Sequence, residues 1–288
     1  MTIELKNIKK SFGETKALDN VSLQINEGKI YGLLGNNGAG KSTMLNIITS
    51  RYLADEGELL LDGKPMRDND SALGQIYMMS EKNYYPESMK VKDAIYWGSK
   101  FYPNFDTQKA DRLAELFALP VKKKIDSLST GYTSIFKIVM ALSSGAPVLL
   151  FDEPVLGLDA GHRDVFYKLL IEHYSENPCT IVISTHLISE AANLIEHCWI
   201  IKDGRIIKDA PCEELQSAGY NISGPAALVD EYLNGKTYLT ANNLGGLKTA
   251  CISGDMPKSA NLPQGLEVSR LGLQEYFIQL MNDESGRA

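Results

Sequence analysis

Residues Ile3 to Ile8 alternate apolar and polar side chains, the period-two pattern of a half-buried strand. A turn at Ser11-Phe-Gly-Glu-Thr15 separates this run from Ala17 to Ile25, which ends in a second alternating run, Val21-Ser-Leu-Gln-Ile25. Asn26-Glu-Gly-Lys29 reads as the next turn and feeds a short, mostly apolar run, Lys29 to Leu34. Leu53 to Asp62 predicts a turn and a strand closed at Asp62-Gly63, and Ile76 to Met79 predicts a short strand that opens into the polar loop Ser80 to Pro86. From Val91 to Ser144 the period becomes helical. Leu113, Leu116 and Phe117 share a face before Pro120 breaks the run, and Ile135, Val139 and Leu142 repeat at spacings of four and three. Val148 to Phe151 and Thr180 to Ser184 are continuous enough to predict strands buried on both faces. Arg163 to His173 and Ile188 to Ile195 read as helices, and Trp199 to Ile207 as a hairpin turning at Asp203-Gly204.

Strands alternating with helices predict an α/β fold with a largely parallel sheet, a β-rich N-terminal part and an inserted helical subdomain at about 83–145. After Gly219 the pattern weakens. Asn221 to Gly224, Asn242 to Gly246 and Gly254 to Pro263 read as loops, and Tyr238-Leu239 as strand. Leu271 to Met281 reads as a helix with Leu273, Tyr276, Phe277 and Leu280 on one face. The expected organisation is a main domain over 1–218 and a small accessory region over 219–288.

The most specific chemistry lies just after the run ending at Leu34. Gly35-Asn36-Asn37-Gly38-Ala39-Gly40-Lys41-Ser42-Thr43 matches G-x-x-x-x-G-K-[ST], the phosphate-binding loop. Glycines let successive backbone N–H groups face one concavity, Lys41 reaches the β/γ-phosphates, and the Ser42 hydroxyl suits Mg²⁺. A helix beginning there also turns its positive end toward the same anion. A second candidate is Val148-Leu-Leu-Phe-Asp152-Glu153-Pro154, which places two carboxylates at the carboxyl end of a buried strand, where ligands of open α/β sheets sit. Asp152 can hold Mg²⁺ through its shell, and Glu153 can deprotonate a water attacking a γ-phosphate. Asp-Glu-Pro also suits the start of a helix, a reading that the phosphate loop upstream disfavours.

Composition narrows the class. The 288 residues are 44% hydrophobic and 23% charged, ordinary globular values. A net charge of −7 without a long basic block argues against non-specific nucleic-acid binding, and Lys122-Lys123-Lys124 reads as a solvated face. Cys179, Cys198, Cys212 and Cys251 have no C-x-x-C spacing, so neither a disulfide framework nor a zinc site is indicated, and a reducing compartment is expected. The N-terminus does not read as a signal peptide, and no run approaches the roughly 20 apolar residues of a membrane span. The phosphate loop occurs once, so one nucleotide module is expected per chain.

Further pieces in a fixed order make the chain resemble the ATP-binding-cassette (ABC) ATPases over about residues 1–215. Leu128-Ser129-Thr130-Gly131-Tyr132 is similar to the family's Leu-Ser-Gly-Gly-Gln signature, Gly157-Leu158-Asp159 to its D-loop, and His186 to its switch histidine. Phe12 stands at the adenine-stacking aromatic, and Ser80 to Pro86 at the Q-loop, with Glu81 in place of the glutamine. Thr130 and Tyr132 also depart from the signature. The resemblance implies ATP and Mg²⁺ as cofactors. It makes Glu153 and His186 catalytic, Phe12 and Gly35 to Thr43 ATP-binding, and Ser42, Asp152 and Glu81 metal-facing. Ser129, Thr130, Gly131 and Asp159 would act on the nucleotide held by a second module.

That resemblance also implies partners: a second ABC ATPase subunit, identical or paralogous, and separate transmembrane permease subunits, with no nucleic acid. The aromatic-rich stretch around Glu81 to Tyr102 could form their docking groove or simply pack helices. The pattern most resembles the YtrB-like group of bacterial export ATPases, which includes exporters of phenol-soluble modulins and other peptides. The chain is therefore expected at the cytoplasmic face of a bacterial plasma membrane, powering export of peptides or drug-like compounds. A non-transport ABC ATPase and a weakly hydrolysing regulatory subunit are the alternatives; intact Lys41, Asp152, Glu153 and His186 disfavour the latter.

Overall fold

The structure, a computed structural model, describes residues 1–236, 238–257 and 262–282, with the backbone alone at Leu239 and Asn282. Two compact units are present: Met1–His186 with His197–Asp209, and Leu187–Glu196 with the chain from Ala210 onward.

In the first unit the chain runs β1 (Thr2–Phe12), β2 (Thr15–Asn26), β3 (Ile30–Leu34), α1 (Lys41–Ile48), β4 (Glu56–Leu61), β5 (Lys64–Pro65), α2 (Asp70–Leu73) and β6 (Ile76–Met79). It continues through α3 (Val91–Phe101), α4 (Thr107–Leu116), one 3₁₀ turn (Ile125–Ser127), α5 (Thr130–Ser143), β7 (Val148–Asp152), α6 (Ala160–Glu176) and β8 (Thr180–Thr185). After α7 (Ile188–Ala191) in the second unit, it returns as β9 (His197–Lys202) and β10 (Arg205–Pro211). Strands β2-β1-β4-β5 form an antiparallel sheet, and β10-β9-β3-β8-β7-β6 form the larger one.

The strand order of the larger sheet positions the site. β8 lies between β3 and β7, and all three run parallel, with Leu34 opposite Thr185 and Asp152 opposite Ser184. The loops leaving β3, β7 and β8 therefore emerge side by side at one carboxyl edge, the place where an open α/β sheet offers a crevice. Every residue of β3, β7 and β8 is buried, which is why their sequences read as mostly apolar runs without alternation. The core beneath is continuous from Ile3 and Leu5 of β1 through Met44 and Leu45 of α1 to Val148 and Leu150 of β7, with Tyr31 stacked on Trp199 at 4.4 Å.

A buried histidine in this unit faces a partly buried lysine. His173 on α6 is 7% exposed, and its Nδ1 lies 2.8 Å from Lys109 Nζ of α4. An ammonium can only donate, so the ring accepts and stays neutral. Burial, and then the Lys109 charge, push the His173 pKa down from 6.5 to about 4. The native state then binds fewer protons than the unfolded chain across that window. The stability is fully present above pH 6.5 and is lost as pH falls toward 4. The melting temperature is expected to fall over this range, and more steeply than in a His173→Gln variant; identical pH slopes would contradict the assignment.

The second unit holds α7, α8 (Cys212–Ser217), β11 (Gly219–Pro225), α9 (Ala226–Leu233), β12 (Tyr238–Leu244), β13 (Leu247–Ser253), β14 (Glu267–Arg270) and α10 (Leu273–Asn282). Its sheet has the order β12-β13-β11-β14 and packs Tyr220, Ile222 and Ile252 against Val229 and Leu233 of α9. The loop expected at Asn221 to Gly224 is in fact the central strand β11, paired on both sides. Asn221 is buried there because its amide donates to the Glu275 carboxylate at 2.6 Å, and a Cβ at Gly219 would lie 2.6 Å from the Ile252 carbonyl oxygen. Strand β12 likewise runs through most of the loop expected at Asn242 to Gly246, and α7 ends at Ala191 rather than Ile195. Of the loop expected at Gly254 to Pro263, residues 258–261 lie outside the described residues. Among the described residues no helix is long and apolar enough to cross a membrane.

Candidate functional site

The phosphate loop leaves β3 at Gly35 and enters α1 at Lys41. Gly40 caps the helix with φ 112°, and a Cβ there would lie 2.5 Å from the Ala17 carbonyl oxygen, so only glycine fits. Gly38 also has positive φ, and the Ala39 N–H donates to the Asn36 carbonyl at 3.1 Å, closing the curl. Asn36, Asn37 and Gly38 are exposed at its tip, while Gly35, Ala39 and Gly40 are buried. Lys41 is only 6% exposed; its ammonium donates to the Gly35 carbonyl at 2.8 Å and the Asn36 carbonyl at 3.2 Å. The lysine thus lies folded back onto the loop that precedes it.

The acids stand opposite. Asp152 ends β7 and is buried; Ser42 Oγ donates to its Oδ1 at 3.1 Å, and its buried Oδ2 has no hydrogen-bond partner. Burial pushes the Asp152 carboxyl above the usual carboxylate range, with Glu153 and Glu81 adding to the effect against the hydrogen bond from Ser42. Glu153 follows with φ 50°, a left-handed backbone that costs a non-glycine residue about 1–3 kcal/mol and that clusters at functional sites. The Glu153 N–H donates to the Ser184 carbonyl at 2.9 Å, which holds the turn against the end of β8. Its carboxylate accepts from His186 Nδ1 at 2.8 Å on one oxygen and lies 3.6 Å from Lys41 Nζ on the other. Since a carboxylate only accepts, His186 carries its proton on Nδ1 in this contact.

Lys41, Ser42, Thr43, Glu81, Glu153 and His186 all line one open cavity of 320 Å³ at this edge, together with Asn37, Gly38 and Gly40. Thr15, Ala17 and Leu156 complete the wall and had no mark in the sequence, because nothing in their types announces a site. Phe12 does not line this cavity. It is 47% exposed at the end of β1, edge-on to Tyr52 at 5.5 Å.

Ser129, Gly131 and Asp159 are absent from this cavity's lining as well. Ser129 is the N-cap of α5 and accepts from the Tyr132 N–H at 3.3 Å. Gly131 is fixed by packing: a Cβ there would lie 2.8 Å from the Gly157 carbonyl oxygen. Thr130, which replaces the more usual glycine, leaves no room for a Cβ at Gly157, which would lie 2.7 Å from its methyl, and lines a second cavity of 190 Å³ with Glu81, Asp152 and Glu153. Asp159 caps α6 and accepts from both the backbone and the ring of His162, at 2.9 and 2.8 Å; these bonds hold its carboxyl below the usual range.

Among the described residues no cluster of three His, Cys, Asp or Glu side chains could hold a metal alone. Mg²⁺ does not demand one, because it is commonly held by one or two carboxylates plus substrate phosphates and waters. An orphaned, buried Asp152 oxygen beside a serine hydroxyl fits that chemistry.

The aromatic stretch divides in two. Tyr85 and Tyr102 turn inward, with hydroxyls 3.2 Å from that of Tyr77 and 3.4 Å from the Ile76 carbonyl oxygen respectively. Tyr84, Tyr96, Trp97 and Phe101 are exposed. Tyr84, Trp97 and Phe101 line an apolar groove of 470 Å³, with Arg51 and Lys82 at its polar positions.

A family model described as ABC transporter matches residues 18–156. The chain is 29% identical over 214 residues to the ABC transporter ATP-binding protein YtrB of Bacillus subtilis, covering 74% of this chain and 73% of that one. It is 32% identical over 225 residues to a probable sulfate/thiosulfate import ATP-binding protein CysA of Chlorella vulgaris, covering 75% of this chain and 93% of that one. Against arabinose-import relatives the match spans 43% of their length. Among solved structures, the dimeric bacterial ABC transporter cassette MJ0796 aligns with a TM-score of 0.65 at 27% identity, covering 73% of this chain and 98% of that one.

Proposed function

Because the chain belongs to the ABC transporter ATPase family, it is an ATP-binding, ATP-hydrolysing cassette, and we propose that the contact of Glu153 with both His186 and Lys41 is the core of its hydrolytic site. That one observation carries the reading: a single, partly buried carboxylate in a strained turn stands 2.8 Å from a histidine and 3.6 Å from the phosphate-loop lysine. Glu153 takes the proton of the water that attacks the γ-phosphate. Lys41 leaves the Gly35 and Asn36 carbonyls for the β/γ-phosphates, while the curled backbone from Gly35 to Thr43 cradles the phosphate chain. His186 hydrogen-bonds the γ-phosphate and so registers its presence. Ser42, Asp152 and Glu81 are the groups that would hold Mg²⁺, which supplies charge neutralisation on the phosphate oxygens. Phe12 offers its exposed ring to the adenine.

Ser129, Thr130, Gly131 and Asp159 act on the nucleotide of a second cassette. Two facts support this: Ser129, Gly131 and Asp159 leave the phosphate-loop cavity of their own chain to other residues, and MJ0796 was solved as a dimer. ATP then closes the pair and product release opens it, a ligand-driven shift between two states. The second cassette is a copy of this chain or a paralogue.

The force is delivered to separate transmembrane subunits at the cytoplasmic face of a bacterial plasma membrane. Their docking site is the apolar groove that Trp97 and Phe101 line beside the Q-loop residues Ser80 and Lys82. Phe101 is 74% exposed and stacked on Trp97 at 5.9 Å, so an acidic substitution there costs little core packing. Phe101→Asp is expected to lower recovery of the membrane subunit in detergent capture about tenfold or more, as loss of an aromatic anchor does at interfaces. Unchanged recovery would place the docking surface elsewhere.

The direction we propose is export of peptides or drug-like compounds, supported by Glu81 at the Q-loop position where some peptide and drug exporters of the family also carry glutamate. Inverted membrane vesicles given external ATP would then accumulate the cargo. ATP-dependent uptake only into right-side-out vesicles would make the system an importer, the activity named for CysA.

A further inference from the structure

Lys137 is the only charged residue between Asp126 and Asp152. It sits in the apolar body of α5 and is 7% exposed. Its ammonium donates to three consecutive carbonyls: Ser80 at 2.8 Å, Glu81 at 2.7 Å and Lys82 at 3.3 Å. An ammonium has three protons, so its donor capacity is used in full on this one stretch of backbone. Burying a cation is costly unless each proton finds an acceptor, and a methionine or leucine would fill the same helical position without that cost. The stretch it holds has just left the sheet, since the β6 pairing ends at Met79 opposite Phe151. Lys137 also stands in two walls. It lines the apolar groove with Trp97 and Phe101, and it lines the smaller cavity with Thr130, Asp152 and Glu153.

We propose that Lys137 is a positioning residue, clamping the backbone of 80–82 so that Glu81 stands at the rim of the nucleotide cavity. This inference rests on the reading of Asp152 and Glu153 as the hydrolytic site. A side chain at 137 that packs without donating would leave the three carbonyls to water and let the loop drift, with the nucleotide's own phosphate contacts intact. The loss would therefore fall on turnover, not on ATP affinity.

Lys137→Met keeps most of the length of the side chain and removes the ammonium; Lys137→Arg keeps a cation with several donors. In the nucleotide-free full chain, amide hydrogen exchange across residues 80–86 is expected to quicken about tenfold or more in Lys137→Met, with β7 and α6 unchanged, because charged hydrogen bonds hold a loop by that order. The kcat for ATP is expected to fall by about tenfold while KM stays within about threefold, and Lys137→Arg is expected to recover part of both signals. Unchanged exchange across 80–86, or a KM that worsens as much as kcat, would overturn the proposal. If Lys137→Met does not fold, the wild-type ammonium decides. Its ¹⁵N signal, assigned by its loss in Lys137→Arg, must exchange hydrogens slowly, and exchange as fast as that of surface lysines would overturn the clamp. A wild-type chain without ATPase activity would unseat the hydrolytic reading instead, and leave the exchange data to judge the clamp alone.

Discussion

Glu153→Gln is expected to bind ATP within a few-fold of the wild-type affinity and to hydrolyse it about 100-fold or more slowly, the scale of a lost general base. The glutamine amide keeps the shape and can still meet His186, but it cannot take the proton of the attacking water. Its neighbours make the effect specific. Glu153 lies 3.6 Å from Lys41 and 2.8 Å from His186, so the substitution removes a negative charge from a site that must receive a polyphosphate. ATP retention should therefore improve rather than suffer. With hydrolysis blocked, the closed pair of cassettes should accumulate in the presence of Mg-ATP, visible as a doubling of mass by light scattering with the homologous or paralogous partner present. Phosphate release near the wild-type rate would remove Glu153 from the role of base.

Lys41→Ala is expected to do the reverse, striking binding first. The ammonium is buried and already desolvated, held by the Gly35 and Asn36 carbonyls. A charged hydrogen bond of this kind is worth about 1.5–3 kcal/mol, so ATP affinity should fall about 10- to 100-fold. Alanine also leaves the Glu153 carboxylate facing the phosphates without its nearest cation, which deepens the loss. Calorimetric titration with ATP reads the affinity directly, and the melting temperature of the nucleotide-free chain separates lost binding from lost fold. Affinity unchanged in a folded Lys41→Ala protein would contradict the phosphate-loop assignment.

The parts that read clearly from the sequence share one physical property: their side chains obey a single environment. β3, β7 and β8 are buried on every residue, so Val148-Leu-Leu-Phe151 could not be mistaken for a surface element. The phosphate loop is legible because its conformation demands glycine where a Cβ would strike backbone, as at Gly40 against Ala17. The six-stranded order then brings Lys41, Glu153 and His186 to one cavity, although 145 positions separate the first from the last. What did not read clearly depends on tertiary partners. Asn221 looks like a turn residue until Glu275 supplies the acceptor that lets it lie buried in a central strand. The role of Lys137 is not legible in its helical stretch, because its acceptors are carbonyls some 55 positions away. The exposed and inward aromatics of α3 and its approach were inseparable in sequence, since hydroxyl partners such as the Ile76 carbonyl oxygen decide which way each ring turns.

The measurement that bears most directly on this cassette as the motor of a membrane transporter is capture of the full chain from its native membranes in mild detergent with Mg-ATP, with mass-spectrometric quantitation of what comes with it. A multi-span membrane protein recovered in stoichiometric amount, and lost in Phe101→Asp, is the expected result. Recovery of ribosomal or DNA-associated proteins alone would contradict the transporter assignment.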